Sequence, residues 1–327
     1  MTNKKILNKR LKKNRKFLLS MITAILVGLA ISFSYFTGLR IVSTIGDSEN
    51  NEEDPTFIYH FSRAFRYSAL DSVGAIGTLL ENKDDKPINV NKKPVSALSY
   101  IVVNVDRDTI LSEKEIDRLL PIASVTKLVT AVMAKRFFKE DDQILITPKI
   151  LSINGDTGKL RLGEKMKVGE LFYPLLMVSS NDSAYALAEF YDSTYGKGEF
   201  VKAMNDWVSS IGAYRTYFKD PAGFSPNNLS TAKDLSTIAK WIMKNEPSIF
   251  DITMTKTKSI RTHTWVNPTH FLNLSSYKGG KNGYTPEANR TSVSFFSAES
   301  PERLYLVVLL GSKQRDADTF GVLREVL

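Results

Sequence analysis

Apolar positions fall along this chain in blocks of differing period. Residues 17–39 form a stretch of 23 without a charged side chain, bounded by Lys16 and Arg40. As a helix rising about 1.5 Å per residue it measures about 34 Å, enough for a hydrocarbon core of about 30 Å. Residues 43–56 are polar and acidic and predict a solvated linker. Apolar character returns over 57–80, with Ile58, Phe61 and Phe65 at helical spacing, and a second polar linker covers 81–94. Residues 97–105 are dense in β-branched and aromatic side chains; after the charged Asp106-Arg107-Asp108 turn comes Thr109-Ile110-Leu111, which predicts a hairpin.

Beyond the hairpin the period changes to that of helices. Residues 125–134 are apolar on nearly every face and predict a helix buried in a core. Further helical patterns cover 168–178, 183–191, 199–211 and 232–244. Strand character resumes at 252–260, 291–298 and 304–310, and a short helix begins near Asp316. Strands, then helices, then strands predict an α+β fold, its antiparallel sheet drawn from both ends of the domain and its helices inserted between. The expected organisation is a basic tail (1–16), a transmembrane anchor (17–39), a linker with a short amphipathic helix (40–94) and one folded domain (95–327).

Charge refines this division. The chain has 327 residues and a formal charge of +9, which by itself invites a polyanionic partner. Eight lysines and arginines before residue 17, with no acid among them, account for all but one unit of it. The folded part is nearly neutral, so a nucleic-acid groove is not expected. The same basic cluster predicts a cytoplasmic N-terminus, with everything after Arg40 outside the cytoplasm. A cleaved signal peptide is the rival, with Gly28-Leu29-Ala30 or Ala30-Ile31-Ser32 as cleavage sites, but the apolar run continues past both.

Cysteine is absent, which removes thiol nucleophiles and thiolate metal sites. Only His60, His263 and His270 are present, with no His-Glu-x-x-His spacing and no Gly-x-Ser-x-Gly elbow. Neither a metal, nor another cofactor, nor a Ser-His-Asp triad is expected. Attention falls instead on Lys127, a cation near the start of the buried helix, where desolvation lowers an amine's pKa. Ser124 lies three positions earlier, about one turn away on the same face, which sets a nucleophile beside a base. Ser230 and Ser275 also have a lysine three residues on, but only Ser124 heads an apolar helix. A capping serine beside a lysine that snorkels to water is the plain alternative.

Two more elements bear on that choice. Ser179-Ser180-Asn181 sits between two apolar helices, where a hydroxyl and an amide serve to relay a proton and hold a substrate amide, or where Asn181 or Asp182 simply caps the second helix. Lys278-Gly279-Gly280-Lys281-Asn282-Gly283-Tyr284-Thr285 reads as a glycine-rich loop before a strand, able to bring a second cation near Lys127. In this order the three resemble the Ser-x-x-Lys, Ser-x-Asn and Lys-Thr-Gly elements of penicillin-binding proteins and β-lactamases. With Leu162-Gly163-Glu164-Lys165, Ser230-Thr231-Ala232-Lys233-Asp234-Leu235 and Gly283-Tyr284-Thr285-Pro286-Glu287-Ala288, the chain from about Ser99 onward is similar to the low-molecular-mass serine D-alanyl-D-alanine carboxypeptidases.

That resemblance implies a DD-peptidase/β-lactamase-like fold and a set of roles. Ser124 would be the acylated nucleophile and Lys127 its general base; Ser179 and Asn181 would assist proton transfer and hold the peptide. Lys281 would bind the terminal carboxylate, along a substrate-binding strand of Asn282, Gly283, Tyr284 and Thr285. The N–H groups of Ser124 and Tyr284 would form the oxyanion hole. Family members usually have Thr or Ser where Asn282 stands, a hydroxyl that contacts the substrate carboxylate; an amide N–H replaces it here. The implied substrate is the D-Ala-D-Ala end of a peptidoglycan stem peptide, with β-lactams as covalent inhibitors and the bilayer as a partner through residues 17–39. No β-rich second domain or amphipathic anchor follows the last strand, so anchoring is expected to fall on the N-terminal helix. A β-lactamase is disfavoured because no Glu-x-x-Leu-Asn stretch follows the Ser179 loop. A wall-binding scaffold with a decayed site is the remaining alternative, hinted at by Asn282 alone.

Overall fold

The computed structural model describes residues 94–153, 155, 158–298 and 303–327. The expected basic tail, anchor and amphipathic helix lie outside the described residues. Among the described residues no helix is long and apolar enough to cross a membrane.

The chain enters through a hairpin, β1 (Ser99–Asn104) and β2 (Thr109–Lys114), and a short strand β3 (Leu120–Pro121). A 3-10 turn, Ala123–Thr126, leads into α1 (Lys127–Phe137). There follow β4 (Gln143–Leu145), α2 (Pro148–Leu151), β5 (Lys165–Lys167), α3 (Val168–Met177), α4 (Asn181–Tyr195), α5 (Glu199–Ser210), β6 (Leu229–Ser230), α6 (Ala232–Asn245) and α7 (Ser248–Thr253). A second hairpin, β7 (Thr257–Ile260) and β8 (His263–Val266), precedes β9 (Tyr277–Thr285), β10 (Asn289–Ala298), β11 (Arg303–Ser312) and α8 (Arg315–Arg324).

The main sheet has the order β2-β1-β11-β10-β9, every pair antiparallel. It thus joins both ends of the domain, as the order of hydrophobic patterns predicts. Every residue of β1 is buried, and β11 is buried from Tyr305 to Ser312, because both sheet faces are covered. One face carries Ile101, Val103, Leu306 and Val308 against the helices. The other carries Val102, Val307 and Leu309 against Phe271 and against Val322 and Leu323 of α8. Helix α1 runs through the first layer with every residue from Lys127 to Ala134 buried, which is why its sequence is apolar all round.

Three readings of the sequence change here. The 252–260 segment is not one strand: its start belongs to α7, where Ile249, Phe250 and Thr253 are buried at helical spacing, and only Thr257–Ile260 pairs as β7. The glycine-rich segment before β10 is not a loop but the edge strand β9, held by pairing of Asn282 with Ser292 and Lys281 with Val293. The cap of α4 is Ser180, whose Oγ accepts from the Ser183 N–H, rather than Asn181 or Asp182.

Candidate active site

Ser124 and Lys127 meet where the 3-10 turn becomes α1. The 3-10 turn takes up the backbone change, with Ala123 at φ +48°, and delivers Lys127 as the first α-helical residue. Lys127 is fully buried, and its Nζ lies 2.9 Å from Ser124 Oγ, 2.8 Å from Asn181 Oδ1 and 2.6 Å from the Ala222 carbonyl oxygen. Burial pushes its pKa well below that of a free lysine; the charge of Lys281 adds to the fall and Asp220 opposes it. A neutral amine has two N–H donors and one lone pair. Asn181 and Ala222 offer two acceptors, which leaves the lone pair for the Ser124 hydroxyl.

The loop between α3 and α4 supplies the second group. Ser179 holds φ +65°, a left-handed conformation that is uncommon outside glycine and is found at sites where side-chain direction is over-determined. Its Oγ accepts from Lys281 Nζ at 3.0 Å, and the same ammonium donates to the Asn282 carbonyl at 2.8 Å. Burial, with a contribution from Arg315, pushes Lys281 down to about 7. Thus two lysines, two serine hydroxyls and the Asn181 amide converge from α1, the α3–α4 loop and β9.

Strand β9 reaches this point because glycine lets it. A Cβ on Gly283 would lie 2.8 Å from the Ser124 backbone nitrogen and 2.6 Å from Thr291 Oγ1. Thr291 in turn donates to the Ile122 carbonyl at 2.9 Å, tying β10 to the nucleophile's turn. Tyr284, next along, is exposed, and Thr285 closes the strand by accepting from the Ala288 N–H. Asn282 turns away from this contact: its Nδ2 donates to Thr269 Oγ1 at 3.3 Å.

Three contributors were not recognised from sequence. The first is the turn of residues 220–225, where the Asp220 carboxylate accepts from the N–H groups of Ala222, Gly223, Phe224 and Ser225 at 2.7, 2.7, 3.1 and 2.7 Å. This holds the Ala222 carbonyl against Lys127; the available signal was the Asp-Pro-Ala-Gly turn itself. The second is Arg315 at the start of α8, and the third is Thr269. Both line a cavity of about 220 Å³ together with Ser179, Lys281 and Asn282. No local pattern marks either residue. Among the described residues no group of three or more His, Asp or Glu is placed to hold a metal ion. His263 pairs with Glu164 and His270 with Asp316.

Comparison with known proteins identifies related chains. Residues 86–313 match the family described as D-alanyl-D-alanine carboxypeptidase. The D-alanyl-D-alanine carboxypeptidase DacF of Bacillus subtilis is 30% identical over 243 residues, 69% of this chain and 61% of that protein. The chain therefore matches under two thirds of that relative's length. A D-alanyl-D-alanine endopeptidase of Pseudomonas aeruginosa is 28% identical over 235 residues, 67% of this chain and 74% of its own length. The crystal structure of the Streptomyces K15 DD-transpeptidase superposes with a TM-score of 0.64 at 27% identity, covering 72% of this chain and 98% of that one. With the matched residues running from before β1 to the end of β11, the chain belongs to the D-alanyl-D-alanine carboxypeptidase family of serine-type peptidases.

Proposed function

We propose that this protein is a membrane-anchored carboxypeptidase that removes the terminal D-Ala from peptidoglycan stem peptides through an acyl-enzyme on Ser124. The observation that carries the proposal is the buried Lys127 amine, 2.9 Å from the Ser124 hydroxyl with Asn181 and Ala222 occupying its remaining directions. Ser124 Oγ attacks the amide carbon and its proton passes to Lys127. The N–H groups of Ser124 and Tyr284 hold the oxyanion. The C–N bond then breaks, D-Ala leaves as an amine carrying the transferred proton, and water hydrolyses the ester. A β-lactam follows the same first step but leaves its ester on Ser124. Lys281 and Arg315 face the substrate's carboxylate across the cavity, and residues 17–39 hold the domain at the outer membrane surface.

The test uses the full chain with an N-terminal tag. It is expected to be recovered from the membrane fraction with the tag attached and to release D-Ala from a pentapeptide ending in D-Ala-D-Ala. Recovery without the tag, starting near Ser32, overturns the anchor; absence of D-Ala release with penicillin binding intact points to another use of the acyl-enzyme. The endopeptidase and transpeptidase named among the relatives mark those other uses.

Acylation should also have a defined pH dependence. It requires Lys127 neutral and Lys281 charged, and burial lowers both pKa values. Deprotonation of Lys127 raises the rate as pH climbs, and discharge of Lys281, pushed down to about 7, lowers it. The second-order rate of penicillin acylation reports the free enzyme, and its two limbs are macroscopic values of the coupled pair. Lys281→Arg, which stays charged, should move the alkaline limb upward. An unchanged limb in that variant removes Lys281 from the account.

A further inference from the structure

The side chain at 282 cannot by itself supply a hydroxyl to a substrate carboxylate, and its contacts show where one is available. The Asn282 carboxamide spends an Nδ2–H on Thr269 Oγ1, 3.3 Å away. Its Oδ1 is buried with no hydrogen-bond partner, and as an acceptor it repels a carboxylate rather than binding one. Thr269 stands in the opposite condition. Its oxygen accepts from Asn282, its backbone N–H donates to Asn267 Oδ1 at 3.1 Å, and its hydroxyl proton has no acceptor among the described residues. A hydroxyl that accepts on one side turns its proton to the other, and the bond it accepts strengthens the one it gives.

The place is right for an anion. Thr269 is half-buried and lines the same cavity as Lys281, Ser179 and Arg315, so two cations and two hydroxyls border one space of about 220 Å³. Asn267 fixes the loop that carries Thr269, because its Nδ2 donates to the Thr253 carbonyl at 2.8 Å while its Oδ1 holds the Thr269 N–H. Thr253 in turn accepts from Gly280 N–H of β9 through its Oγ1 at 3.0 Å. The loop and the substrate-binding strand are thereby held in one register.

Resting on the carboxypeptidase reading above, we propose that the hydroxyl meeting the substrate's terminal carboxylate in this protein is that of Thr269, with the Asn282 amide orienting it. Thr269 is then a specificity-determining residue for substrates and lactams that carry a free carboxylate.

The experiment measures second-order acylation of the full chain by two fluorescent penicillins, one with its free carboxylate and one with that group as the methyl ester. Thr269→Val keeps the shape and removes the hydroxyl. It is expected to acylate roughly 10- to 150-fold more slowly with the free acid, the range for one hydrogen bond to a charged group, and to match wild type with the ester. Thr269→Ser is expected to restore most of the lost rate. A Val variant that equals wild type on the free acid, or that loses equally on acid and ester, overturns the role of Thr269 while leaving the carboxypeptidase reading in place. A wild-type chain that neither penicillin acylates overturns both. Circular dichroism of each variant shows whether a loss on both compounds comes from unfolding.

Discussion

Ser124→Ala is expected to abolish covalent labelling by penicillin and to cut D-Ala release by about 10⁶-fold, the scale seen when an activated nucleophile is removed. The effect is this large because nothing nearby can take over. Ser179 Oγ faces Lys281 rather than Lys127, and among the described residues Lys127 carries the only amine within bonding distance of Ser124. The other two serines with a lysine three residues on are differently placed. Ser230 is buried with its hydroxyl 2.8 Å from Thr216 Oγ1, while Lys233 reaches Asp117 at 3.7 Å; Ser275 is exposed. The fold should be unchanged, since among the described residues the Ser124 hydroxyl hydrogen-bonds only to Lys127. Mass spectrometry of the labelled chain decides the matter, and label persisting in Ser124→Ala, or mapping to Ser230 or Ser275, would remove Ser124 from its place in the proposal.

The contrast among these three serines shows what the sequence made legible. Spacing alone put all of them on equal footing. Only the apolar run from Val125 to Ala134 distinguished Ser124, because a lysine inside a fully buried helix demands a reason while a lysine on an exposed helix does not. The strand-helix-strand order likewise announced the sheet in which β1, from the start of the domain, pairs with β11 from its end. What escaped detection acts through the backbone or across long sequence distances. Ala222 contributes a carbonyl, which every residue has, and the Asp220 carboxylate that aims it looks like any turn residue until its four N–H partners are in place. Strand β9 was read as a loop because glycine has poor strand propensity; its pairing with β10 and the space beside Ser124 override that preference. Thr269 and Arg315 join Lys281 only after the second hairpin and α8 have been folded against the sheet.

The turn that went unread also yields the second large effect, in Gly223→Ala. Gly223 has φ +78°, and a Cβ there would sit 1.9 Å from the Ala123 carbonyl oxygen, 2.3 Å from its carbon and 2.9 Å from the Ser124 nitrogen. All three are backbone atoms, so no side-chain rotation relieves the collision. Either the Ser124 turn moves, or the 220–225 turn does and takes the Ala222 carbonyl away from Lys127. Displacement of a reacting group by about 1 Å costs about 10²-fold, so penicillin acylation should fall by at least that factor. A conformational penalty of about 1–2 kcal/mol for alanine in the left-handed region comes in addition. Gly212→Ala isolates that penalty: Gly212 has φ +89°, but a Cβ there meets nothing within 4 Å. Both variants should lose thermal stability, whereas only Gly223→Ala should lose acylation. If Gly223→Ala instead acylates as fast as Gly212→Ala, the turn is not part of the geometry that holds Lys127 against Ser124.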